Sequence, residues 1–157
     1  MTGFRLVSEY PVRARRLFDL IRKPAFQEAQ ALALGAVEVQ ASIVSRDGHL
    51  VRMQIERADR LRPGSDKTIR SVVHYDWDVD RMEGRWSQHH LDHQRRTELG
   101  GLLRVEVRGR DACQLIDEGH VQVRVPLLGR KLEQRALARL ESVLPRQREF
   151  IGRQLGL

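Results

Sequence analysis

Hydrophobic and polar positions alternate with three successive periods along the chain. Phe4 to Tyr10 is a short mixed run ending at Pro11, which fits an opening strand. Ala14, Leu17, Phe18 and Ile21 then recur at i, i+3, i+4 and i+7, the apolar stripe of a short helix. Pro24 stops that helix and suits the first turn of another, so Ala25 to Leu34 reads as a second short helix ended by Gly35.

The period then drops to two. Val37, Val39, Ala41 and Ile43 alternate with Glu38, Gln40 and Ser42; Asp47-Gly48 supplies a hairpin turn; and Val51, Met53 and Ile55 alternate with Arg52, Gln54 and Glu56. After a loop at Arg62-Pro63-Gly64-Ser65, the clearest strand of the chain puts Ile69, Val73, Tyr75, Trp77 and Val79 on one face. Arg70, His74, Asp76 and Asp78 take the other. Arg85 to Leu91 is a less regular strand after Glu83-Gly84, and Leu103, Val105 and Val107 alternate with Arg104, Glu106 and Arg108. The turn Gly109-Arg110-Asp111 leads to a last strand, with Cys113 and Leu115 before Gly119 and Val121, Val123 and Val125 after it. A glycine inside a strand is expected to mark a bulge or bend.

After Pro126 the helical period returns. Leu132, Ala136, Leu140, Val143, Gln147 and Ile151 lie on neighbouring rows of one face, flanked by Leu137, Leu144 and Leu155. Pro145 falls inside this helix, lacks the amide for an i to i−4 bond, and is expected to bend it.

Composition narrows the class. A chain of 157 residues with 41% hydrophobic positions is one domain's worth, residues 1–157, and can bury a core. The single cysteine, Cys113, excludes an internal disulfide framework and a cysteine-built zinc site. Apolar runs are short and the N-terminus lacks the apolar segment of a signal peptide, so a soluble cytoplasmic protein is expected. The formal charge is +7, carried by 28 basic residues of which only Lys23, Lys67 and Lys131 are lysines. They are interleaved with acids and form no basic tail. The local excess after Gly129 reads either as the solvated face of an amphipathic helix or as a surface for phosphate or anionic lipid.

The order strand, two short helices, about six antiparallel strands and one long C-terminal helix resembles the START-like, or SRPBCC, helix-grip superfamily. The most specific stretch is Val121 to Glu133, VQVRVPLLGRKLE. It is similar to the last strand and helix start of polyketide-cyclase/lipid-transport-like members. The resemblance implies an α+β fold: a curved antiparallel sheet of six to seven strands wrapped around the C-terminal helix, with two short helices after the first strand. It also implies an apolar cavity between sheet and helix. Catalytic residues are not shared across the superfamily, so none is carried over.

A few constellations carry candidate chemistry. His89, His90 and His93 suggest a metal, but on a strand His89 and His93 stand roughly 13 Å apart, too far for one ion. A site would need a bulge or turn and a carboxylate such as Asp92. Tyr75, Trp77 and Trp86 either fill the core or line a ligand cavity. Asp117 keeps the phase of Leu115 and Val121, and Arg57 that of Met53 and Ile55. Either side chain points inward to meet a ligand's polar group or is exposed by edge or bulge geometry. Asp76, Asp78 and Asp80 read as a solvated face, and Cys113 as a small buried residue. No phosphate loop, nucleophile elbow or zinc motif occurs, so no catalytic residue, metal or cofactor is assigned.

These readings converge on a protein that binds a hydrophobic small molecule or lipid. The expected lining is Val73, Tyr75, Trp77, Trp86, Val105, Asp117 and Val123 on the sheet, with Leu132, Ala136, Leu140 and Val143 on the helix. A cyclase or dehydrase would instead need an inward acid or base, with His74 and Asp117 the candidates. A nucleic-acid or ribosome-associated role is the reading that the positive charge favours.

Overall fold

The computed structural model describes residues 1–91 and 97–157. In chain order the elements are β1 (Thr2–Tyr10), α1 (Ala14–Ile21), α2 (Pro24–Ala33), β2 (Ala36–Asp47), β3 (Leu50–Arg60), β4 (Thr68–Asp78), β5 (Glu83–His90), β6 (Thr97–Gly109), β7 (Ala112–Val123) and α3 (Gly129–Gln154). Strands β2 to β7 form an antiparallel meander, and β1 closes the far side by pairing with β7, giving the order β1-β7-β6-β5-β4-β3-β2. This is the curved α+β sheet of the helix-grip fold.

Local chemistry explains the boundaries. The β2–β3 turn passes through Gly48 at φ 60°, a left-handed conformation that costs glycine little. Pro24 stands in the first turn of α2, where its missing amide has no helical partner to lose. At the start of α3, the amides of Leu128 and Gly129 both donate to Val125 O, at 3.3 and 2.9 Å. A Cβ on Gly129 would lie 2.3 Å from Val123 O, so only glycine lets the helix begin against the end of β7. Glu133 then ties the helix down. One carboxylate oxygen accepts from Val123 N at 2.9 Å, and the other accepts from Thr2 Oγ1 at 2.8 Å. These bonds, with the amino terminus at 3.2 Å, hold its carboxyl below the usual range.

The core joins the inner sheet face to one side of the helices. Leu17, Phe18 and Ile21 of α1 are buried on the stripe that periodicity assigns, and Phe18 meets Trp77 edge-on with ring centroids 5.7 Å apart. Met53, Cys113 and Ile151 complete the fully enclosed centre. Helix α3 is buried less evenly than its apolar stripe suggests. Phe150, Ile151 and Leu155 at its end are buried, whereas Leu132, Ala136, Leu140 and Val143 are only half-buried.

Two details depart from the sequence reading. Strand β6 begins at Thr97, well before Leu103, because Gly100 and Gly101 carry no hydrophobic signal although Leu99, Gly101 and Leu103 share the inner face. Gly119 is not a bulge: β7 stays in unbroken register with β1 and β6 on both sides of it. The irregular steps fall instead in β2 and between Val107 and Gly109. A Cβ on Gly119 would lie 2.1 Å from Gly100 O and 2.8 Å from Gly101 Cα, so the glycine is needed for close strand approach.

Candidate functional site

Cross-strand pairing lays the inner face out in rows. One row runs Tyr75, Trp86, Gly101, Gly119, Phe4 across β4, β5, β6, β7 and β1. The two glycines leave the middle of this row without side chains, and the rings of Trp86 and Phe4 approach over it, with centroids 6.3 Å apart. The adjacent row runs Trp77, Gly84, Leu103, Asp117, Leu6. Here Trp77 lies over Gly84, whose added Cβ would fall 2.4 Å from the indole Cε3, and stacks on Tyr75 at 4.6 Å.

Asp117 is therefore the one acid in an inner row otherwise made of apolar side chains and glycine. Trp86 Nε1 donates to its Oδ1 at 2.8 Å. Burial pushes its carboxyl up to about 6, and the indole bond, which favours the charged form, offsets only part of that cost. The Tyr75 hydroxyl is also driven well above its ordinary range, first by burial and then by the negative charge of Asp117. Arg57 acts on Tyr75 in the opposite sense while holding Asp59 at 2.7 Å.

Above this pair lies a partly open cavity of about 50 Å³. Its sheet wall consists of Leu6, Ser8, Tyr75, Leu103, Leu115 and Asp117; its helical wall of Ile21, Phe26, Gln27, Gln30, Leu144, Gln147 and Ile151. Most of the polar lining is already engaged. Ser8 Oγ accepts from Arg148 Nε at 2.9 Å, Gln27 Nε2 donates to Ile21 O at 2.6 Å, and Gln147 Nε2 reaches Gln30 Oε1 at 3.5 Å.

Of the residues expected to line a cavity, the structure brings Tyr75 and Asp117 onto its wall, with Trp86 immediately behind as the donor to Asp117. Val73, Trp77 and Val105 are buried in the surrounding core. Val123 stands at the start of α3, and Leu132, Ala136, Leu140 and Val143 follow half-buried along that helix. The contribution of α2 had no periodic signature, since a buried glutamine such as Gln27 resembles a solvated one in sequence.

Other candidates lie elsewhere. His74 is on the opposite sheet face from Tyr75, with its ring 6.2 Å from that of His89. Both border an open outer groove of about 510 Å³ together with Ser87, Glu98 and His120. His89 and His90 alternate faces along β5, and Asp92 and His93 lie outside the described residues. Cys113 is buried, and burial raises its thiol.

The family described as "Protein of unknown function (DUF2505)" matches residues 5–155. No curated protein matches the sequence. Among solved structures, TTHA0849 from Thermus thermophilus is similar with a TM-score of 0.67 and 19% identity, covering 96% of this chain and 97% of that one. The Zhui aromatase/cyclase from Streptomyces sp. R1128 is similar with a TM-score of 0.64 and 12% identity, over 96% and 90%. Norcoclaurine synthase from Thalictrum flavum, in complex with dopamine and hydroxybenzaldehyde, gives 0.64 and 13%, over 98% and 86%. At these identities the likeness establishes the START-like helix-grip fold. Among the described residues, no helix is long and apolar enough to cross a membrane.

Proposed function

The chain belongs to the DUF2505 family and has the helix-grip fold, and from these premises we propose that it binds a hydrophobic small molecule or lipid between its sheet and α3. The observation that carries this reading is the cavity over the Tyr75–Asp117 wall: a concave site between sheet and helices, lined by apolar side chains and by polar ones mostly bonded to other protein groups, with one acidic group set into it. A volume of about 50 Å³ admits only a few water molecules, at about 10–15 Å³ each. The ligand's polar end occupies this cavity, and its apolar body extends beneath the first half of α3, where Leu132, Ala136, Leu140 and Val143 remain half-buried.

Titration with an apolar fluorescent probe or long-chain alcohols tests this. Binding should be saturable and should change tryptophan emission, because Trp86 is bonded to Asp117 at the cavity wall. Leu140→Trp should weaken binding without unfolding the protein. No saturable signal with any apolar ligand, or a filled variant that binds like the wild type, overturns the proposal.

A second reading has one observation in its favour. Asp117, pushed up to about 6 beside Tyr75, is the kind of group that acid–base catalysis uses, and two of the similar structures are an aromatase/cyclase and a synthase. Turnover of a bound ligand that Asp117→Asn abolishes without loss of binding would decide for it. The nucleic-acid reading has less support: Arg5, Arg52, Arg104 and Arg124, among others, are held by carboxylates within the protein.

A further inference from the structure

The cavity's chemistry is one-sided. The chain carries +7, yet among the described residues neither lysine nor arginine lines the cavity, and Asp117 is the one carboxyl on its wall. That carboxyl accepts one side-chain hydrogen bond among the described residues, from Trp86 Nε1 to Oδ1. Its remaining acceptor capacity faces a space where Ser8, Gln27 and Gln147 are already hydrogen-bonded to other protein groups. Leu103 and Leu6 stand directly beside it on the neighbouring strands, so a charge placed there is only partly screened by water.

Resting on the ligand-binding reading above, we infer that the ligand's polar end is a hydrogen-bond-donating nitrogen, an amine that binds as its ammonium, held by the Asp117 carboxylate. An N–H donor meets an ionised acceptor with spare lone pairs, the stronger class of hydrogen bond. A ligand carboxylate or phosphate at the same place would bring like charge to within contact distance of Asp117, and no cation stands among the described lining residues to offset it, Arg148 donating from outside the lining to Ser8 Oγ and Val7 O. Tyr75 closes the same wall and supplies a ring against which the carbons next to the nitrogen pack. The site therefore selects lipophilic amines over fatty acids of the same length.

The test compares three twelve-carbon ligands, dodecylamine, dodecanoic acid and dodecanol, each below its micellar concentration at neutral pH, on the wild type and on Asp117→Asn. Isothermal titration and tryptophan emission are the readouts. The wild type should bind the amine at least about tenfold more tightly than the acid. Asp117→Asn should erase most of that preference, its folded state being checked by an unchanged circular-dichroism spectrum. Acid binding equal to or tighter than amine binding, or a preference that survives in Asp117→Asn, overturns this inference and leaves the ligand-binding reading standing. Failure of all three ligands to bind saturably removes the ligand-binding reading itself. Should Asp117→Asn lose its circular-dichroism spectrum, the amine-to-acid ratio of the wild type decides alone.

Discussion

Replacing Asp117 by asparagine isolates what a carboxyl costs at this position. Asparagine keeps the shape and an oxygen that can accept from Trp86 Nε1, but it cannot ionise. Burial moves the Asp117 carboxyl from 3.8 to about 6. At 1.36 kcal/mol per pH unit, the charged form is disfavoured in the native state by about 3 kcal/mol. That figure is an upper limit, because the side chain keeps some contact with solvent. Between pH 3.8 and about 6 the unfolded chain has released a proton that the native protein still holds, so stability falls as pH rises through this window. Below it both states are protonated, and above it both are ionised. Denaturant unfolding of wild type and variant from pH 4 to pH 8 measures the difference, in which the other titrating groups cancel. Asp117→Asn should match the wild type near pH 4 and exceed it by about 1–3 kcal/mol above pH 6.5 or so. A gap that stays flat with pH, or a wild type that gains on the variant as pH rises, would refute the placement of this carboxyl against an apolar wall.

Gly84→Ala should lower the denaturation midpoint by the equivalent of about 1–3 kcal/mol, because its Cβ would fall 2.4 Å from an indole that Phe18 and Tyr75 hold in place; an unchanged midpoint counts against that contact. Ile151→Ala should cost about 2–5 kcal/mol and Leu140→Ala about 1 kcal/mol, since Ile151 is 1% exposed and Leu140 half-buried. Equal costs in chemical denaturation would mean that α3 packs evenly along its length and leaves no room beneath its first half.

What the sequence made legible was whatever hydrophobic periodicity encodes. The α1 stripe and the β4 alternation each map onto a buried face, because the regular backbone period brings Leu17, Phe18 and Ile21, and Val73, Tyr75 and Trp77, to one side, Val72 being the apolar exception on the outer face of β4. Element order then carried the topology, since strands joined by short turns have few antiparallel arrangements open to them. Glycine is less legible. Gly119 looks like a break in a strand, but in register with Gly101 it forms the empty centre of the row in which Phe4 and Trp86 meet. Whether a glycine bends a chain or clears space for a neighbour depends on strands far away in sequence.

The same non-locality governs the site. Asp117 shares the phase of Leu115 and Val121, which leaves both an inward and an exposed position open until β1, β5 and β6 are placed around it. Three facts, none local to β7, then settle its character. Leu6 and Leu103 flank it, Trp86 donates to it from two strands away, and α2 and α3 cover the space in front of it. A carboxyl so placed disfavours its own charge and gains most from a cation beside it. If Asp117 were retained only for folding, its neutral isostere would serve as well at low pH and better near neutrality. The stability that the carboxylate gives up near neutral pH is therefore the physical reason to look for its partner among molecules that carry a positive charge on an apolar body.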